Sequence, residues 1–142
     1  MMISARNQID ATVETVRRGG VNALLTLRTA QQTRMYASIT DDAADALNVA
    51  VGDRVVAFFK ASHVLVATGW AIPVSARNRL EGRIESIHGG IISAEVRIRL
   101  PGGDHVIATV TKEAVSNLAL QPDTPVVAII KASDVMIAKT TK

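Results

Sequence analysis

The sequence contains no cysteine among its 142 residues. This absence excludes disulfide bonds, thiolate nucleophiles, zinc ribbons and cysteine-ligated iron–sulfur clusters. It also fits a reducing compartment.

Aromatic residues are scarce, at 3% of the chain. They are Tyr36, Phe58, Phe59 and Trp70, and the two phenylalanines fall within an apolar run. Proteins that bind single-stranded nucleic acid usually stack the bases on exposed aromatic rings. The net charge of +3 permits an anionic partner without requiring one. The composition thus argues mildly against a nucleic-acid partner.

Long apolar segments are missing as well. The first residues, Met1 to Asn7, contain no apolar core of a signal peptide. No apolar run approaches the roughly 18 residues that a membrane-spanning helix needs. We therefore expect a cytoplasmic protein without a membrane partner.

What the sequence does have is an internal repeat that extends over its whole length. Ser4-Ala5-Arg6-Asn7 recurs as Ser75-Ala76-Arg77-Asn78, and Lys60-Ala61-Ser62 recurs as Lys131-Ala132-Ser133, with the same offset of 71 residues. A register held from end to end without insertion indicates a duplication. We predict two tandem domains, at residues 1–70 and 72–142, with a short junction around Trp70 to Pro73.

Each half alternates apolar and polar residues in the manner of β-strands. In the first half the strands are predicted near Ile9 to Val16, Val21 to Arg28, Arg34 to Thr40, Arg54 to Phe59 and Val64 to Ala67. Thr40 is a plausible cap for a short helix, and Thr111 repeats it. The pattern predicts an all-β fold of two tandem OB-like five-stranded barrels, each with one short helix. Domains this small are marginally stable alone, so we expect the halves to pack together and the chains to oligomerise.

The repeated peptides contain a polar set that core packing does not explain. Its members are hydroxyl, amide and cationic side chains without a carboxylate: Ser4, Arg6, Asn7, Lys60 and Ser62 in the first half, and Ser75, Arg77, Asn78, Lys131 and Ser133 in the second. Such donors suit a small oxyanion. The small Ala5 and Ala61 would let backbone N–H groups approach the anion. Since the first and last strands of a closed barrel are commonly neighbours, we expect the two peptides to meet.

A simpler interpretation is that the first peptide is only a turn and the second only a bulge with a solvated lysine. Preservation of both peptides in both halves favours the binding interpretation.

Catalysis is not indicated. None of the histidines His63, His88 and His105 has a histidine at the equivalent position of the other half. Glu14 and Glu85 are shared, but one carboxylate per half gives no acid–base pair. We predict no catalytic residues and no enzymatic activity.

The Ser-Ala-Arg-Asn opening, the threonine before the short helix and the Lys-Ala-Ser-x-Val ending resemble the Mop domain of the molbindins, the molybdenum-pterin-binding-like proteins. The resemblance covers nearly the whole chain twice, so the chain resembles a tandem di-Mop molbindin. It implies that molybdate or tungstate binds as an intact oxyanion, with no organic cofactor. Since the chain has no thiolate, nitrogen and oxygen donors would then hold the oxyanion, and the metal would not be ligated directly. It also implies a homotrimer with ligand at the subunit interfaces, and a role in storage, buffering or delivery.

The resemblance assigns the oxyanion site to the repeated peptides. The implied residues are Ser4, Ala5, Arg6, Asn7, Lys60, Ala61 and Ser62, and in the second copy Ser75, Ala76, Arg77, Asn78, Lys131, Ala132 and Ser133. A second class of site, on the assembly axis, maps loosely onto two turns: Gly19, Gly20, Val21 and Asn22, and Gly90, Ile91, Ile92 and Ser93. Two other interpretations stay open. One is an OB-fold protein that binds single-stranded nucleic acid, and the other is a structural oligomer with an incidental anion pocket.

Overall fold

The computed structural model describes residues 2–69 and 73–140, and within them the chain is mostly β-strand. The strands are β1 (Asn7–Arg18), β2 (Asn22–Thr29), β3 (Arg34–Thr40), β4 (Arg54–Phe59), β5 (Leu65–Ala67), β6 (Asn78–Gly89), β7 (Ser93–Arg99), β8 (His105–Thr111), β9 (Pro125–Ile130) and β10 (Met136–Lys139). The helices are α1 (Asp41–Leu47) and α2 (Lys112–Asn117), and single 3₁₀ turns cover Ala61–His63 and Ala132–Asp134. Of the expected junction, residues 70–72 lie outside the described residues.

The strands form two antiparallel sheets of five, each with one strand from the opposite half of the sequence. The first sheet has the order β10-β4-β1-β2-β3, and the second has the order β5-β9-β6-β7-β8. The chain accordingly divides into a first compact unit, with β1 to β4, α1 and β10, and a second unit, with β5 to β9 and α2. The predicted ranges 1–70 and 72–142 follow the sequence repeat, and as domain boundaries they stay a prediction.

Alternation along the strands builds the core of each unit. On β2 the side chains of Ala23, Leu25 and Leu27 are fully buried at every second position. On β7 the buried positions likewise alternate, at Val96 and Ile98 among others. Because successive side chains of a strand point to opposite faces, this period of two gives each sheet one apolar face.

Contacts at the sheet edges close each unit. In the first unit, β3 contacts the 3₁₀ turn Ala132–Asp134 and β10. In the second unit, β8 contacts the 3₁₀ turn Ala61–His63 and β5. Such closure removes the open strand edges that invite aggregation. The predicted fold, two OB-like five-stranded barrels with one short helix each, is confirmed.

Both short helices begin at the predicted threonine. The Thr40 hydroxyl accepts a hydrogen bond from the backbone N–H of Ala43 at 3.0 Å, and Thr111 accepts one from Ala114 at the same distance. A side-chain oxygen at this position satisfies a backbone N–H that has no partner within the helix. The cap therefore fixes where β3 and β8 stop and the helices start.

A β-bulge interrupts the first long strand of each unit. The pairing of β1 with β2 shifts between Val13 and Thr15, and the pairing of β6 with β7 shifts between Ile84 and Ser86. The residue left over at each shift is Glu14 or Glu85. A bulge bends its strand and increases the local twist, so the shared glutamates mark a duplicated bend in the barrels.

The strand exchange predicts that a mutation in the second half of the sequence destabilises the first unit. Ile137 of β10 is buried and lies opposite Ala57 of β4. Replacing Ile137 by alanine should cost about 2–5 kcal/mol in the stability of the first unit, because it leaves a cavity in that core. Native-state hydrogen exchange should show reduced amide protection in β1 and β4.

The matched control is Val66→Ala, since Val66 of β5 occupies the equivalent position and lies opposite Ala128 of β9. That variant should reduce protection in β6 and β9 instead. Loss of protection confined to β6–β9 in Ile137→Ala would contradict the exchange.

Candidate oxyanion site

The first repeated peptide leads into the opening strand of each unit. Ser4 and Arg6 are exposed just ahead of β1, whereas Asn7, its first residue, is only 2% exposed. In the second unit Asn78 is 1% exposed. Burying a polar group is costly unless its polar atoms are satisfied. The peptide therefore presents a hydroxyl and a guanidinium to solvent, while the asparagine side chain lies inside.

The second repeated peptide forms a 3₁₀ turn. Its lysine, Lys60 or Lys131, precedes the turn and is exposed, and the serine that follows is exposed as well. The alanine between them is buried, at 6% exposure for Ala61 and 8% for Ala132. The turn is closed by the backbone N–H of His63, which donates to the Lys60 carbonyl at 3.0 Å, with an equivalent bond at Lys131. The buried alanine thus anchors a turn from which lysine and serine project.

Strand pairing brings the ends of three strands together in the first unit. Asn7 lies opposite Phe59, the residue that precedes Lys60. On the other side of β4, Met136 lies opposite Phe58. The segment Lys131–Ser133, which leads into β10, therefore approaches the same end of the first sheet as Ser4–Asn7.

The strand exchange places the first repeated peptide of each half in the same unit as the second repeated peptide of the other half. We call these the opening peptide and the closing peptide. The first unit contains Ser4–Asn7 and Lys131–Ser133, and the second contains Lys60–Ser62 and Ser75–Asn78. Asn78 lies opposite Ile130, the last residue of the second unit before the chain returns to the first. The sequence predicts the members of the candidate site, and the crossed grouping comes from the structure.

The two closing peptides differ in charge at one flanking position. His63 follows Ser62, whereas Asp134 follows Ser133. The donor residues themselves include the cations Lys60 and Lys131 and no carboxylate. The two candidate sites are thus equivalent in their donors and different in their electrostatic surroundings.

The turns assigned to a second class of site are the hairpin tips β1–β2 and β6–β7. In both hairpins the glycine N–H donates at 2.8 Å, from Gly19 to the Asn22 carbonyl and from Gly90 to the Ser93 carbonyl. A Cβ on Gly19 would lie 2.8 Å from the Asn22 oxygen, which explains why this position is glycine.

The residues at those tips are largely apolar and solvent-exposed. Val21 is 76% exposed, and Ile91 and Ile92 are 92% and 82% exposed. Gly20 adopts a positive φ of 92°, whereas its counterpart Ile91 does not. The two tips therefore have different loop conformations, and the assignment of Gly19–Asn22 and Gly90–Ser93 to an axial anion site stays a prediction.

The bulged glutamates are held by basic side chains. Arg28 Nε lies 2.8 Å from Glu14 Oε2, and this hydrogen bond holds the pKa of Glu14 below its ordinary value. In the second unit His105 Nε2 lies 3.0 Å from Glu85 Oε1 and Arg97 Nε lies 2.9 Å from Oε2. These partners, His105 foremost, lower the pKa of Glu85. Both shared glutamates thus form ion pairs with basic side chains at the bulge.

Neither a metal-ligand cluster nor a membrane-spanning helix occurs among the residues that the structure describes. Among residues 2–69 and 73–140, no three or more His, Asp or Glu side chains lie close enough to hold a metal ion. The helices of that part of the chain also lack the length and apolar character that crossing a membrane requires.

The fold and its repeated peptides define a class: a tandem array of small OB-like β-barrels that carry cationic, hydroxyl-bearing turns at the points of strand exchange. The chain belongs to the TOBE domain family, whose model matches residues 3–66 and 74–137. Both matches fall on the repeat identified in the sequence.

Similar proteins confirm the resemblance to the molbindins. The molybdenum transport protein ModE of Azotobacter vinelandii is 36% identical over 97% of this chain and 51% of its own length. The molybdenum-pterin-binding protein MopB of Rhodobacter capsulatus is 34% identical over 95% of this chain and 50% of its own length. The chain thus spans about half the length of these relatives.

A solved structure matches over the whole length of both chains. The cytoplasmic molybdate-binding protein ModG, in a crystal form with molybdate bound, superposes with a TM-score of 0.93 at 40% identity. The match covers 97% of this chain and 99% of ModG.

The pairing at the bulges predicts a pH dependence. Because the folded-state pKa of Glu85 is lowered, its ionised form contributes stability above the unfolded-state value near 4.5, and this contribution is lost as the pH falls through the folded-state pKa. NMR titration of the side-chain carboxyl carbons should show Glu14 and Glu85 titrating below 4.5.

Each glutamate provides the control for the other. His105→Ala should raise the titration midpoint of Glu85 and leave that of Glu14 unchanged. Arg28→Ala should raise the midpoint of Glu14 and leave that of Glu85 unchanged. If the Glu85 midpoint is the same with and without His105, the contact between His105 and Glu85 does not form in solution.

Proposed function

We propose that this chain binds molybdate or tungstate as an intact tetrahedral oxyanion and stores, buffers or delivers it in the cytoplasm. The observation that carries the proposal is the end-to-end likeness to molybdate-bound ModG, at 40% identity and a TM-score of 0.93. The names of the relatives, which refer to molybdenum transport and molybdenum-pterin binding, support it. Binding is reversible, and the chain is not an enzyme.

The charge for binding comes from the exposed cations of the repeated peptides. Lys60 and Lys131, with Arg6 and Arg77, donate charge-assisted hydrogen bonds to the oxyanion, and such bonds are roughly twice as strong as neutral ones. The exposed serine hydroxyls and the backbone N–H groups supply direction. Since the donors lie on folded turns, the spacing between them selects the size of the anion.

A neighbouring subunit completes each site in this proposal. Lys60, Lys131 and the adjacent serines are exposed in the single chain. An ion pair on an open surface contributes little, because water screens it. Exclusion of water by a second subunit strengthens the same contacts.

Exposed apolar side chains support assembly into the homotrimer that the resemblance implies. They lie at the hairpin tips and on the exchanged strands: Val21, Leu65, Ile91, Ile92 and Met136. Contact between subunits would remove this apolar surface from water.

The alternative function, binding of single-stranded nucleic acid, usually needs exposed aromatic rings on which the bases stack. Of the aromatic residues in the described ranges, Phe59 is fully buried and Tyr36 and Phe58 are half-buried. Strongly salt-dependent binding to an oligonucleotide, with no response to molybdate, would favour this alternative.

The lysines provide the direct test of the proposal. Replacing Lys60 and Lys131 together by methionine removes one charge-assisted donor from each site, so the affinity for molybdate should fall about 10- to 100-fold. Isothermal titration calorimetry with molybdate measures this loss.

The control variant Lys112→Met/Arg54→Met removes the same charge from exposed positions outside the repeated peptides. It should bind molybdate as the unmodified chain does. Equal affinities for the two double variants would refute the role of Lys60 and Lys131.

A further inference from the structure

The side chain of Gln8 folds back onto the peptide that precedes β1. Its amide Nε2 donates one hydrogen bond to the Ile3 carbonyl at 2.9 Å and another to the Ala5 carbonyl at 3.0 Å. These two carbonyls flank Ser4. One side chain therefore links two carbonyls of the segment that precedes the sheet. The pairing of β1 with β4 begins only after this segment, at Asn7.

The bridge also fixes the direction of two N–H groups. In a trans peptide the C=O and the following N–H point in opposite directions, and no cis peptide occurs in the described residues. With the Ile3 and Ala5 carbonyls turned toward Gln8, the N–H groups of Ser4 and Arg6 point away from it. Gln8 thus draws two carbonyl oxygens, which repel an anion, to one side of the peptide, and the N–H groups of Ser4 and Arg6 lie on the other.

The second copy of the peptide lacks this bridge. Arg79 stands at the position equivalent to Gln8 and is exposed. Within the residues that the structure describes, Arg79 makes no hydrogen bond to the carbonyls of Val74 or Ala76, the counterparts of Ile3 and Ala5. The two opening peptides are therefore held differently, although their four residues are identical.

We propose that Gln8 is a positioning residue that preorganises the first oxyanion-binding peptide, so that the two halves of the chain bind the anion with unequal affinity. The inference rests on the proposed oxyanion function. A loop already fixed in its binding conformation loses less entropy when the ligand arrives. The Ser4–Asn7 site consequently binds more tightly than it would without the bridge, and Ser75–Asn78 has no such advantage.

The test is calorimetric titration of the full chain with molybdate, comparing Gln8→Met with the unmodified protein. Methionine has nearly the same length as glutamine and donates no hydrogen bond. We expect one class of sites to weaken about three- to tenfold, as the loss of two solvent-exposed hydrogen bonds implies, while the number of anions bound and the melting temperature without molybdate stay unchanged. Gln31→Met, the same substitution at an exposed residue between β2 and β3, should alter neither class.

The reciprocal exchange in the second half keeps the proposal testable even if Gln8→Met folds poorly. Arg79→Gln and Arg79→Met remove the same charge, but only glutamine can donate to the carbonyls of Val74 and Ala76. Tighter binding by Arg79→Gln than by Arg79→Met supports the positioning role, and equal binding by these two variants overturns it. Unaltered affinities in a folded Gln8→Met also overturn it, whereas failure of the unmodified chain to take up molybdate refutes the proposed function itself.

Discussion

Each half of the sequence completes the sheet of the other half, because the closing strands β5 and β10 are exchanged between them. Without β10, strand β4 of the first unit would have an unpaired edge, and an exposed edge is a template for aggregation. Polar contacts hold the exchanged segment in place. Lys139 Nζ lies 3.1 Å from Asp53 Oδ2 and donates to the Asn48 carbonyl at 2.9 Å, and the Thr140 N–H donates to the Arg54 carbonyl at 3.0 Å. Neither half of the sequence contains a complete barrel.

The same exchange determines where the candidate binding residues lie. The chain passes from one unit to the other at Lys60 and returns at Lys131. At each crossing a buried alanine anchors a 3₁₀ turn, and the lysine and serine beside it face solvent. The crossing points are therefore both a structural necessity and the source of the exposed donors. This double role gives a physical reason for their recurrence in both halves.

Features with a local cause could be predicted from the sequence. The bounds of β3 and β4 follow from alternation over a few residues, and the helix starts follow from the capping threonines Thr40 and Thr111. The chemical nature of the candidate site was also accessible, because duplication separates polar residues that both halves need from those that only one half contains.

The strand exchange could not be predicted, because the competing strands are nearly identical. Val64 to Ala67 and Val135 to Ala138 have the same apolar pattern, so either segment satisfies the edge of β4 or of β9. Only the three-dimensional path of the chain decides between them. The β-bulges could not be predicted for a different reason. A single extra residue such as Glu14 only makes the alternation of apolar and polar residues less regular. The bridge from Gln8 depends on side-chain geometry that no residue pattern reveals.

In the proposed function, neighbouring subunits complete the oxyanion sites of this chain. Native mass spectrometry with and without molybdate, over a series of protein dilutions, tests it most directly because one spectrum reports the assembly state and the number of bound anions. We predict a trimer that carries a defined number of molybdate ions and resists dissociation on dilution more strongly with molybdate than without it. An assembly state indifferent to molybdate, or a chain that retains no molybdate, would refute the inter-subunit sites.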